Sequence, residues 1–149
     1  MDEATIAAVA AWAVLVVNAL AGAFAGWRWW IVQPSDAAWP LLRAGQGLAF
    51  IQALVAGGLF ASNYAPEDGL YWLYALLPVA IGLIAEQLRV AAAEQVLENR
   101  GLADAQAVGT LPEAAQRSVV LAIMRREIGV MALAALVVAF LALRAALIA

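Results

Sequence analysis

The chain contains no cysteine, no histidine and no lysine. Without Cys or His, the usual ligands for zinc, copper, iron–sulfur clusters and haem are missing, and three Met and three Tyr leave only a Met–Met or Tyr haem site to consider. The same absences remove disulfides, a thiol nucleophile, a Schiff-base amine and a Ser–His–Asp triad. There is no phosphate-binding glycine loop, and Ser35, Ser62 and Ser118 each stand alone, with no base beside them. Glu94 and Glu98 lie one helical turn apart, but a solvated helix face accounts for them and no third metal ligand accompanies them. No catalytic, metal or cofactor site is therefore expected, and a membrane enzyme or redox carrier is the least favoured functional class. A net charge of −3 also argues against nucleic acid as a partner.

Charge is scarce as well. Only 13% of the residues are Asp, Glu, Lys or Arg, whereas 66% are hydrophobic and the mean hydropathy is +0.89. Soluble domains carry about 25% charged residues. The composition is that of a chain immersed in lipid, and 149 residues suffice for one domain.

What charge there is falls in a pattern. Glu3 to Arg28, Arg43 to Glu67, Asp68 to Glu86 and Glu127 to Arg144 bracket uncharged stretches of 24, 23, 17 and 16 residues. A hydrocarbon core of about 30 Å needs about 20 helical residues, and flanking charges that snorkel to the interface extend the two shorter stretches. The expected fold is an all-α, four-helix membrane bundle with spans near 4–26, 41–62, 70–88 and 127–147. Arg28, Arg43, Arg89, Arg100, Arg117, Arg125 and Arg126 fall in the first and third connections, and only Arg144 lies on the other side. Cytoplasmic loops are the basic ones, so 27–43 and 89–126 are expected in the cytoplasm and both termini outside the cell membrane. The acidic start (Asp2, Glu3) lacks a basic n-region, so the first segment reads as a retained helix, not a cleaved signal.

Trp27, Arg28, Trp29 and Trp30 close the first span, where amphipathic rings and a guanidinium suit an interfacial anchor better than the alternative of a ligand-stacking box. Gln33 to Asp36 form a short turn, in which Ser35 or Asp36 can cap the helix that Trp39 and Pro40 lead into, with Trp39 a further interfacial anchor. Tyr64, Tyr71, Trp72 and Tyr74 make the matching outer belt. Pro78 falls in the middle of the third span and predicts a kink. That helix is expected to continue to a C-cap at Gly101. Thr110 and Glu113 have capping-box spacing for a last helix that runs unbroken to the end, so a cytoplasmic helical hairpin spans about 89–126.

Gly45, Ala49, Ala53, Gly57 and Ala61 place a small residue at every fourth position, a ridge that lets another backbone approach closely. It serves either the bundle's own interior or an oligomer or subunit interface. Asn18 and Gln52 are polar residues inside the spans. Antiparallel pairing that sets Arg100 level with Glu113 brings Arg43, Gln46, Glu86, Arg89, Arg125, Arg126 and Glu127 into one layer. Glu86 then faces Arg126 or Glu127, Arg89 lies beside Met124 and Arg125, and Glu98 lies near Arg117. This layer is either a structural ion-pair network at the anionic headgroups or a gate for a small ion. Two functions follow: a non-catalytic scaffold or accessory subunit of a membrane assembly, homo-oligomeric or hetero-oligomeric, or an oligomeric channel or transporter gated at the inner Arg/Glu layer.

Overall fold

The uncharged stretches become long helices. The computed structural model describes residues 2–149, with α1 over Glu3–Trp30, α2 over Ala38–Ala61, α3 over Tyr71–Asn99, a single turn α4 over Ala105–Val108, and α5 over Glu113–Leu147. All four long helices are long and apolar enough to cross a membrane. α1 packs on α2 and α5, and α3 packs on the same two, so the helices form an up-down-up-down ring. Asp2 caps α1 by accepting from the Thr5 amide at 2.8 Å, and this hydrogen bond holds its carboxyl below the usual range.

One spacing rule orders the interior. Ala7, Ala11, Val14, Asn18, Ala21 and Ala25 are buried on α1, and Ala38, Leu42, Gly45, Ala49, Gln52, Ala56 and Leu59 on α2. Steps of three and four residues alternate throughout. α5 repeats them at Ile128, Met131, Ala135, Val138, Ala142 and Ala145, and α3 at Tyr71, Ala75, Pro78 and Ala85. This 3.5-residue repeat is the signature of left-handed coiled-coil packing.

The interior is made of small residues: among the described residues, 14 of the 24 buried hydrophobic ones are alanine. Large apolar side chains face outward instead, including Leu20, Leu54, Phe60, Leu83, Leu133 and Phe140, each more than half exposed.

The small-residue ridge is only half used. Gly45 and Ala49 are buried, Ala53 is half-buried, and Gly57 and Ala61 are exposed. Four residues advance a helix by about 40° beyond a full turn, so a strict fourth-position ridge rotates out of any straight interface. The buried stripe changes step instead and passes to Ala56 and Leu59.

Three helix ends share one device. Val32, Asn63 and Gly101 adopt φ of 57°, 63° and 68° just past α1, α2 and α3. The next amide reaches back across the last turn in each case, at Gln33 to Arg28 O, Tyr64 to Leu59 O and Leu102 to Leu97 O. These are Schellman closures, and the one at Gly101 is where the sequence placed it. Gly and Asn suit the left-handed position, whereas β-branched Val32 is strained in it. At the start of α5 no capping box forms: Thr110 Oγ1 donates to Ala107 O at 2.7 Å, and Pro112 opens the helix without a side-chain cap. Once α4 is wound, the nearest carbonyl of its last turn captures the Thr110 hydroxyl.

α1 ends where Trp29 meets α5 at Arg125 and Gly129, and α2 begins where Trp39 lies against Arg89 of α3. Beyond those points α3 and α5 run on together, with Val96 and Val119 buried and Arg100 donating to Ser118 Oγ at 3.2 Å.

Two glycines test the packing. A Cβ at Gly22 would lie 2.8 Å from Leu136 Cγ and 3.1 Å from the Ala132 carbonyl oxygen, whereas one at Gly57 would meet nothing within 4 Å. Gly22→Ala is expected to destabilise the detergent-solubilised protein by about 1–3 kcal/mol. Gly57→Ala should be neutral or gain up to about 1 kcal/mol from helix propensity. Thermal unfolding followed by tryptophan fluorescence reads both, and an equal loss at the two positions would mean that the exposed half of the ridge is covered.

Candidate functional site

The polar residues of the bundle gather at the end where Arg43 begins the apolar part of α2. There α2, α3 and α5 are joined by a chain of charges. Arg43 Nη1 donates to Glu86 Oε1 at 2.6 Å, Arg89 Nε to Glu86 Oε2 at 3.1 Å, and Arg89 Nη1 to Glu127 Oε1 at 3.1 Å. Gln46 lies inside this chain, accepting from Arg43 at 2.7 Å and donating to Glu86 at 3.0 Å. Trp39 sits between the two guanidinium groups, 5.9 Å from Arg43 and 5.7 Å from Arg89. Two arginines against two carboxylates make the set neutral, and Trp39, expected at the lipid interface, is half-buried beneath it.

The layer is smaller than the sequence suggested. Arg126 turns to Gln95 Oε1 on α3, and Arg125 lies over the Trp29 ring at 5.4 Å. Glu86 therefore meets neither Arg126 nor Glu127, and Arg89 meets Glu127 in place of Met124 and Arg125. Arg117 pairs with Glu113 on its own helix, not with Glu98. The expected register is displaced by about one turn. The reason lies in the connection, where α4 takes up residues that a simple loop would have left to level Arg100 with Glu113.

Behind the layer, a cleft of about 240 Å³ runs between α2, α3 and α5. Gln46 and Glu86 stand at its polar end and Asn18 at its depth, with Phe50, Pro78 and Gly82 among its walls. Asn18 Nδ2 donates to Val14 O at 2.9 Å and across the helix pair to Gly45 O at 3.2 Å. A Cβ at Gly45 would come within 2.5 Å of Asn18 Oδ1, so this glycine admits the amide.

Gln52 is different. It is 1% exposed, and neither Oε1 nor Nε2 has a hydrogen-bond partner. The Tyr71 hydroxyl is likewise buried without a partner. Tyr71, expected in the outer aromatic belt, lies in the core with Ala7, Ala11, Ala56 and Ala145. The three-four spacing of buried residues on α3 begins at Tyr71 itself and continues to Ala75 and Pro78, which turns the ring inward. Trp72 and Tyr74 stay partly exposed, and Tyr64 packs edge-on against Tyr71. Burial, together with the nearby Glu3, Glu67 and Asp2, raises the Tyr64 phenol above its ordinary pKa. At this end Ser62 Oγ donates to Glu3 Oε1 at 2.7 Å and ties α2 to α1.

No protein family, curated protein or solved structure matches the chain. Among the described residues, no group of three Asp and Glu is placed to hold a metal ion.

Glu86→Gln removes the carboxylate that two arginines share. The pairs are part-exposed, so the loss lies between that of a surface and a buried ion pair, about 1–3 kcal/mol. Arg126→Gln, outside the chain of charges, should change stability by less than about 0.5 kcal/mol. Chemical or thermal unfolding of the two variants in one detergent separates them, and equal losses would contradict the observed pairing.

Proposed function

We propose that this chain is a non-catalytic, multi-pass protein of the cell membrane that serves as a scaffold or accessory subunit of a membrane assembly. Both termini lie outside, and the arginine end, with the α3–α5 hairpin beyond it, lies in the cytoplasm. The observation that carries this reading is the self-sufficiency of the charged layer. Arg43, Glu86, Arg89 and Glu127 satisfy one another across three helices, which suits a fixed structural seam. The exposed leucines and phenylalanines over an alanine interior support lipid as the surrounding solvent, because apolar surface of that extent is not sustained in water. The excess of arginine at one end supports the orientation.

Introduced cysteines test the topology cleanly in a chain that has none of its own. Asn63 is held in the left-handed conformation, so the outer probe belongs at exposed Ala65 and the inner one at exposed Ala103. A membrane-impermeant maleimide should label Ala65→Cys on intact cells and Ala103→Cys only after permeabilisation; labelling from the same side would overturn the topology. Gentle extraction followed by native mass spectrometry should recover larger partner chains with it if it is an accessory subunit.

A second reading, an oligomeric channel or transporter gated at the Arg/Glu layer, is favoured by the unpartnered Gln52 amide and Tyr71 hydroxyl. Gln52→Met decides between them. If the amide is only a core residue, the substitution removes an unsatisfied polar group and should stabilise the protein by about 1 kcal/mol. A loss of stability instead would mean that the amide meets water or a solute, as a conducting path requires.

A further inference from the structure

The arginines at this end fall into two classes. Arg43 and Arg89 are matched by Glu86 and Glu127. Among the described residues, Arg28, Arg125 and Arg126 are paired with no carboxylate, and the Nε atoms of Arg28 and Arg125 are buried without any partner. These three arginines sit at the ends of α1 and the apolar half of α5. Beside Arg126 opens a groove of about 640 Å³ over α5, flanked by Trp29 and Trp30 of α1 and by Ala92 and Gln95 of α3; among the described residues no carboxylate lines it, and neither do Arg28 and Arg125. Arg126 lies in this groove, and its far wall continues along Leu133 and Leu136, which are 66% and 45% exposed.

We infer that this groove binds one anionic phospholipid, with its phosphate against Arg126 and an acyl chain lying along Leu133 and Leu136. The inference rests on the proposed membrane location of the arginine end. Charge complementarity identifies the occupant. A cationic mouth with no carboxylate of its own attracts a net negative headgroup more than a zwitterionic one. The apolar wall identifies the rest of it: a phosphate alone fills only a small part of 640 Å³ and leaves the leucines unmatched. Trp29 and Trp30 stand at the polar–apolar boundary, where indole rings suit both headgroup and chain. Gly129 keeps the groove in shape, because a Cβ there would meet Trp29 Nε1 at 2.8 Å and displace the ring from its place under Arg125.

The test uses the full chain, delipidated in a mild detergent, with native mass spectrometry reading retained lipid. Phosphatidylglycerol should be retained at one copy, and phosphatidylcholine with the same chains should be lost under equal activation. Arg126→Gln should weaken phosphatidylglycerol retention about fivefold, the effect of one arginine at an anionic surface, and Arg126→Lys should keep most of it. Leu133→Asn, at a position 66% exposed, should also weaken retention. Arg144→Gln, at the opposite end of α5, should leave it unchanged. Equal retention of both lipids would overturn the site. So would wild-type retention in Arg126→Gln or Leu133→Asn, an equal loss in Arg144→Gln, or glycerol phosphate competing as strongly as the lipid. Same-side labelling of positions 65 and 103 would overturn the topology while leaving a measured lipid preference standing. Loss of the preference with opposite-side labelling overturns the lipid site alone.

Discussion

Close approach of helix backbones is the constraint on which the rest of this structure depends. For a bundle in lipid, the location proposed for this chain, no hydrophobic effect would pull one apolar helix towards another, and association would rely on dispersion contacts that fade within an ångström of optimal separation. Alanine and glycine at three-four spacing bring the backbones near enough for those contacts to accumulate. Gly22 receives Leu136, Gly45 receives Asn18, and Gly129 receives Trp29. In each case the missing Cβ on one helix is filled by a longer side chain from its neighbour. The large side chains displaced from the interior are the ones that face outward.

The same closeness decides where charge can reside. Along the alanine-lined middle the buried polar side chains are the amides Asn18 and Gln52, and Asn18 fits because Gly45 exposes its carbonyl. At the arginine end the helices reach the boundary of the apolar stretch, and long side chains can extend across from α2 to α3 and from α3 to α5. Gln46 and Trp39 fill the space between them. Arg28, Arg125 and Arg126 lie on the other side of the ring, where neither α1 nor the apolar half of α5 supplies a carboxylate. One half of this end is thus internally neutral, and in the other half Arg28, Arg125 and Arg126 make no ion pair among the described residues.

Much of this was legible in the sequence because it depends on spacing within one helix. Uncharged length placed the four long helices, Gly101 marked the end of α3, and the positions of Arg43, Glu86, Arg89 and Glu127 brought them to similar depth. What depends on rotation or on a connection was not legible. The fourth-position ridge read as one continuous surface, yet its accumulated rotation exposes Gly57 and Ala61. Tyr71 has the composition of a belt residue, but its phase on α3 assigns it to the core. The hairpin register depended on a connection whose single-turn helix, four residues long, has too little periodicity to be recognised. The groove on α5 left no sequence signal either, since Gly26, Trp30, Gln95 and Arg126 are far apart in the chain.

The two buried amides show how these levels interact. Asn18 is short, lies opposite a glycine, and crosses to a neighbouring backbone, so its burial strengthens the α1–α2 seam. Gln52 sits two turns beyond Gly45 on the buried stripe of α2, is longer than Asn18 by one methylene, and finds no hydrogen-bond partner among the described residues for either end of its amide. An unsatisfied amide costs about 1–3 kcal/mol, a large share of the stability of a chain this size. Nothing in the packing requires that residue, because an apolar side chain of similar length would occupy the same position. The physical asymmetry between the amides separates a polar group that fixes helix pairing from one whose place in the core packing alone does not explain, and it makes Gln52 the point at which a purely structural account of this bundle is most exposed.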